Sequence, residues 1–120
     1  VGTSIQLELP YKIYKALQDI LLDDDELVRL TWESVAKRKN INFVAYANPS
    51  DLYKDIEFID RSSRLYIDSL LGNDVKGEDI AADLFQKGFK EIYITSGFNK
   101  EFFNHLTFIR DVRDKRPPWV

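Results

Sequence analysis

Ile20-Leu21-Leu22-Asp23-Asp24-Asp25-Glu26 is the stretch on which the reading of this chain turns. A short apolar run is the pattern of a buried strand, and Asp is a poor strand former, so the strand ends where the acids begin. The result is a cluster of carboxylates at the rim of a sheet. Like charges that close repel unless a cation or a basic group compensates them. Hard oxygen ligands of this kind suit Mg²⁺ or Ca²⁺. The plain alternative is a solvated loop in which Asp24 or Asp25 caps the helix that follows.

Working outward, residues 19–23 form the first apolar strand and residues 26–38 a helix, with Leu27, Leu30, Trp32 and Val35 expected inward. Residues 41–47 are the next strand. Asn48-Pro49-Ser50-Asp51 carries helix-start signals, and Leu52, Ile56 and Ile59 supply an apolar stripe. Residues 65–68 are a third strand, again ending in an acid. A loop over 72–77 leads to a helix carrying Ile80, Ala81, Leu84 and Phe85, with Gly88 at its C′ position. Residues 91–95 are the fourth strand, 98–106 a short helix, and 108–115 a charge-broken fifth strand stopped by Pro117-Pro118. Strand and helix alternate, which predicts a parallel sheet covered by helices. Upstream, residues 3–9 alternate Ile5, Leu7 and Leu9 with polar residues as a half-buried strand does, and residues 11–18 read as a linker.

A chain of 120 residues fits one domain with a self-sufficient core. Its 44% hydrophobic and 31% charged content is that of a globular protein. A net charge of −3 argues against direct nucleic-acid binding, which leaves a basic footprint. The absence of cysteine excludes disulfides and thiol chemistry and fits a reducing compartment. No apolar run reaches membrane-spanning length. The start at Val1 and the lack of Met suggest a piece of a longer chain.

In a parallel α/β sheet, ligands bind beyond the carboxyl ends of the strands. Those ends supply Asp23 and Asp24, then Asp68, then Thr95 with Ser96, and finally Lys115. Three carboxylates can hold one Mg²⁺, a hydroxyl can bond a phosphoryl oxygen, and an ammonium can neutralise charge. The set suits phosphoryl transfer to a carboxylate, with Asp68 as nucleophile.

The run from Ile20 to Arg29, with Tyr66-Ile67-Asp68, the segment 77–88 and Ile92-Tyr93-Ile94-Thr95-Ser96-Gly97, resembles response-regulator receiver domains over about residues 19–118. The resemblance implies a flavodoxin-like doubly wound sheet of five parallel strands in the order 2-1-3-4-5. It implies that Asp23, Asp24 and Asp68 bind Mg²⁺ with the Leu70 carbonyl, Asp23 acting through water, and that Asp68 accepts phosphate from a kinase histidine. Thr95 and Lys115 would contact the phosphoryl group. The partner implied is a histidine kinase domain or a histidine phosphotransfer protein, in the cytoplasm; weak homodimerisation and a membrane anchor elsewhere in the parent chain stay open. Residues 1–10, Gly2-Thr3-Ser4-Ile5-Gln6-Leu7-Glu8-Leu9-Pro10 in particular, resemble the last strand of a histidine-kinase ATP-binding domain. With 11–18 as linker and 19–120 as receiver, the pair suggests a hybrid sensor kinase; an ordinary edge strand of the same domain is the alternative.

The chain departs from the receiver pattern in several places. Gly72 stands where Pro is usual, and Gly77 comes one residue late, which predicts a longer and more mobile loop. Arg116 separates Lys115 from Pro117. Val112 occupies the aromatic switch position, and no room remains for the usual last helix, so a face beside strands four and five is expected to be open. Leu70 and Gly97 lie two residues beyond Asp68 and Thr95 and offer no side-chain hydrogen bond to a hydrolytic water, which predicts a long-lived phosphorylated state.

Two rival functions remain. Asp23 and Asp25 also fit the Asp-x-Asp pair of haloacid-dehalogenase-like phosphatases, although Leu27 is atypical there. A pseudo-receiver, a pure interaction module, would keep the acids without turnover. The lone histidine, His105, reads as a solvated helix position, Trp32 and Trp119 as packing, and Lys37-Arg38-Lys39 as a helix end favoured by the macrodipole. Phe102-Phe103 could form an exposed apolar patch for a partner.

Overall fold

The computed structural model describes residues 17–120. The expected strand at 3–9, the kinase remnant at 1–10 and most of the linker at 11–18 lie outside the described residues. Five strands make the main sheet: β1 Asp19–Leu22, β2 Phe43–Tyr46, β3 Arg64–Asp68, β4 Glu91–Thr95 and β5 Asp111–Arg113. They are all parallel, in the order β2-β1-β3-β4-β5. The alternation of strand and helix predicted the parallel sheet, and its doubly wound, flavodoxin-like order is the one the receiver resemblance implied.

Three helices connect the strands: α1 Glu26–Arg38, α2 Pro49–Asp55 and α3 Gly77–Gln86. Local chemistry sets their ends. Asp25 accepts a hydrogen bond from the Leu27 N–H and Asn48 from the Asp51 N–H, each supplying a partner to an orphan helix donor. Gly88 has φ +103, and the Phe89 N–H reaches back to the Leu84 carbonyl, the closing bond of a left-handed helix stop.

Because strand side chains alternate, the sheet has two chemically distinct sides. One carries Ile20, Leu22, Leu65, Ile67, Ile92 and Ile94, which pack with Leu52 of α2 and with Ala81 and Leu84 of α3 in an aliphatic core. The other carries Leu21 and Tyr66, which pack with Trp32 of α1 and, at the margin, Phe43, Tyr93 and Trp119. Asp19 and Asp23 share this second side with Leu21, being two residues either way along β1.

Several local expectations are corrected. On α1, Trp32 and Val35 are buried, but Leu27 is 74% exposed and Leu30 52% exposed. The sheet meets a single narrow stripe of that helix, and Leu27 and Leu30 fall outside it. Ile56 belongs to a separate 3₁₀ turn, Ile56–Phe58, because α2 ends at Asp55. Residues 98–106 are not a helix; they hold only the 3₁₀ turn Lys100–Phe103, started by the Asn99 side chain. Phe103 is buried there, while Phe102 is 68% exposed and packs edge-on against Phe98. The fifth strand is shorter than 108–115, so Lys115 lies two residues past its end.

The long loop after β3 folds into an antiparallel hairpin, Leu70–Leu71 with Val75–Lys76. Asn73 and Asp74 both have positive φ, the backbone of a tight primed turn that Asn and Asp tolerate. Gly77 then returns under the end of β3, where an added Cβ would sit 1.8 Å from the Asp68 carbonyl oxygen. Only glycine permits that approach. Among the described residues no helix follows β5, and no helix is long and apolar enough to cross a membrane.

Candidate functional site

The carboxyl ends of β1 and β3 lie side by side, since Leu22 is in register with Ile67. Asp23 and Asp68 therefore meet at the sheet rim. One carboxylate oxygen each from Asp23, Asp24 and Asp68 lies within 4.8 Å of the other two. Asp23 and Asp68 are buried and Asp24 is exposed. Asp23 is fixed from several sides: its Oδ1 accepts from the Asp25 N–H at 2.9 Å, and its carbonyl accepts from the Arg29 guanidinium at 2.9 Å. Gly72 of the hairpin borders Asp24, with room for a Cβ only 3.4 Å from Asp24 Oδ2.

Lys115 enters this cluster from the far end of the chain. Its Nζ donates to Asp68 Oδ1 at 2.7 Å and to Asp23 Oδ2 at 3.2 Å, from 47 and 92 positions away. Thr95 stands in register with Asp68 on the adjacent strand. Its hydroxyl is buried and has no hydrogen-bond partner among the described residues, which is costly for a polar group. Leu70 opens the hairpin beside Asp68, its N–H 3.4 Å from Asp68 Oδ1, with an exposed side chain. The structure thus brings together Asp23, Asp24, Asp68 and Lys115, with Thr95 and Leu70 flanking Asp68.

The electrostatics follow from the charge count. With the three acids ionised, the cluster holds two more negative charges than the Lys115 ammonium neutralises. Burial pushes the Asp68 carboxyl above its usual range and the Asp23 charge adds to the rise, while Lys115 pulls it back only in part. For Lys115, burial favours the neutral amine, but the bonds to and charges of Asp68 and Asp23 outweigh it and raise its pKa. In an isolated ion pair the acid would move down. Here burial raises the Asp68 carboxyl first and the Asp23 charge adds to it, so both partners move up. A metal ion fits such a cluster on donor chemistry and on charge.

Asp25 is not part of the cluster. Its side chain is used as the α1 cap, as the plain reading of the Asp run allowed for one of its members. His105 is exposed, as expected, 3.8 Å from a Glu78 carboxylate oxygen. Compared with known protein families and with curated proteins, the sequence gives no match.

Four residues support the site without having been marked by the sequence as functional: Trp32, Trp119, Arg64 and Asp19. Trp32 donates its indole N–H to the Lys115 carbonyl at 2.9 Å. Trp119 donates to Asp19 Oδ2 at 2.6 Å, and Arg64 to Asp19 Oδ1 at 2.9 Å. Asp19 offered the one sequence signal: an acid opening an otherwise apolar strand is unusual and implies a dedicated partner.

Proposed function

We propose that this domain is a phosphoacceptor receiver of a two-component phosphorelay. It takes a phosphoryl group from a phosphohistidine of a histidine kinase or a histidine phosphotransfer protein onto Asp68. Mg²⁺ would be held by Asp24, Asp68 and the Leu70 carbonyl, with Asp23 acting through water. The observation that carries the reading is the Lys115 ammonium bonded to Asp68 Oδ1 inside an acid cluster that it only partly neutralises.

The roles follow from that geometry. Lys115 and the Leu70 N–H engage Asp68 Oδ1, leaving Oδ2 to attack phosphorus. The new O–P bond forms as the P–N bond to the donor imidazole breaks, and that electron pair stays on the ring nitrogen. Lys115 is within reach of the product acyl phosphate and can shift one bond to a phosphoryl oxygen. The unpaired Thr95 hydroxyl can donate to another. Bound Mg²⁺ would neutralise charge on the transferring group. The phosphatase alternative loses support because Asp25, the second acid of its pair, faces helix α1.

Incubation with Mg²⁺ and acetyl phosphate or phosphoramidate, read by intact mass, tests the proposal. A gain of one phosphoryl group that needs Mg²⁺ and is lost in Asp68→Asn is expected. Hydrolysis of monoesters without an adduct would mean a phosphatase, and no change at all an interaction module. The lifetime of the adduct is a second readout. Leu70 and Gly97 supply no polar side chain to orient water, and a Cβ at Gly97 would meet nothing within 4 Å, so a longer side chain has room there. Decay over many minutes is expected, and Leu70→Asn with Gly97→Glu should shorten it.

A further inference from the structure

The residues that follow β5 take a path that ties the acidic site to the opposite end of β1. Lys115 touches Asp23, just past the carboxyl end of β1, while Trp119 touches Asp19 at its amino end. Asp19 and Asp23 are separated by four residue steps, about 13 Å of strand. Residues 115–119 therefore run along the aromatic side of the sheet, from the carboxyl end of β1 toward its amino end.

The segment is fastened at both ends. Trp32, fully buried on α1, donates its indole N–H to the Lys115 main-chain carbonyl. The Trp119 ring packs edge-on against Trp32 at 5.5 Å and Phe43 at 5.2 Å, and its N–H is bonded to buried Asp19. Lysine has a long, flexible side chain whose freedom is costly to restrict, so its reach depends on where its backbone is anchored. A carbonyl held by a fully buried indole is such an anchor.

We infer that Trp32 and Trp119 are positioning residues for Lys115: a tryptophan strap anchored on Asp19 sets the ammonium between Asp23 and Asp68. The role of Lys115 in phosphoryl transfer rests on the proposal above; the strap does not. Without the Trp32 N–H, the Lys115 backbone loses its anchor and the ammonium spends more time outside the cluster. Two effects of opposite sign follow. The acids, less neutralised, bind a divalent cation more tightly. Phosphorylation of Asp68 slows, because the cation that serves it is displaced.

The decisive readout needs neither metal nor phosphodonor. Reductive methylation of the folded protein, read by peptide mass, compares the labelling rate of Lys115 with that of the other lysines. In Trp32→Phe, which keeps a ring and removes the N–H, that ratio should rise about fivefold, the equilibrium weight of one net hydrogen bond. Trp119→Phe should raise it by a smaller factor. Phe43→Leu removes a ring that packs on Trp119 but leaves both indole hydrogen bonds in place, and should raise the ratio less than either tryptophan variant. Mg²⁺ affinity, by titration calorimetry, should increase in Trp32→Phe while the phosphorylation rate falls. An unchanged Lys115 ratio in Trp32→Phe, or an equal rise in Phe43→Leu, overturns the strap. A wild-type protein that is never phosphorylated overturns the receiver reading and leaves the labelling result to decide the strap by itself.

Discussion

Strand β1 carries a buried aspartate at its amino end and another just beyond its carboxyl end, on the same side of the sheet, and the two are in opposite states. Asp19 is satisfied: Oδ1 takes the Arg64 guanidinium and Oδ2 the Trp119 indole. Around Asp23, three acids face one ammonium, and a neighbouring threonine hydroxyl is buried without a partner. Residues four apart on one strand share the same backbone and the same wall of aromatic packing, so the difference lies in the partners. A matched polar group serves the fold. An unmatched one costs stability, and its persistence points to a ligand that completes it.

The largest expected effect separates the two ends by chemistry. Asp68→Asn should lose phosphorylation altogether, because the nucleophile is gone. Asp19→Ala should only slow it, by about fivefold at most through the strap. Intact mass after incubation with a phosphodonor and Mg²⁺ checks both. Equal losses in the two variants would erase the distinction.

Stability should separate them with opposite signs. Asp19→Ala leaves the half-buried Trp119 indole and the Arg64 guanidinium without their acceptor, and should destabilise by about 1 kcal/mol in urea unfolding. Arg64 is half-exposed, so the ion pair itself adds little to that figure. Asp68→Asn, measured without divalent cations at neutral pH, should stabilise by about 1 kcal/mol by removing a charge from a crowded acid cluster.

The pH dependence of that gain has a definite sign. The folded-state pKa of Asp68 is raised, so its ionisation costs stability as pH rises through the raised value. The advantage of Asn is therefore present at neutral pH. It vanishes as pH falls below the ordinary carboxylate range, where Asp68 is protonated in both states. Saturating Mg²⁺ should reverse the order by stabilising only the wild type. A destabilised Asp68→Asn in the absence of metal would mean that the Lys115 bond outweighs the crowding.

The smallest effect concerns Thr95. Replacing it by Val exchanges the orphaned hydroxyl for a methyl group of similar size, and should raise stability by about 0.5 kcal/mol. It should also slow phosphorylation. A loss of stability would show that the hydroxyl has a water partner.

Much of this was legible in the sequence because it depends on short-range pattern. Alternating and continuous apolar runs mark which residues face the core, and helix ends follow from caps such as Asp25, Asn48 and Gly88. Asp23, Asp24, Asp68, Thr95 and Lys115 could be singled out because each falls at or near the carboxyl end of a strand, where a parallel sheet exposes its loops. Their residue types suggested phosphoryl transfer to a carboxylate, and the resemblance to receivers added an expected role for each.

Tertiary structure decided the rest. Leu27 and Leu30 carry a helical apolar pattern but are exposed, since burial depends on what covers a face and α1 meets the sheet along one stripe. The loop after β3 became a hairpin because Asn73 and Asp74 accept positive φ and Gly77 fits beneath Asp68. The short segment at 100–103 had aromatic content without the length to sustain an α-helix. Most of all, the meeting of Lys115 with Asp23 and of Trp119 with Asp19 joins residues 92 and 100 positions apart. No local periodicity encodes such pairs. They arise only when the crossovers have set strand order and the chain after β5 has returned along β1, so the sequence by itself determined most of the elements and the candidate site residues, while the packed sheet decided which charges are matched and which are not.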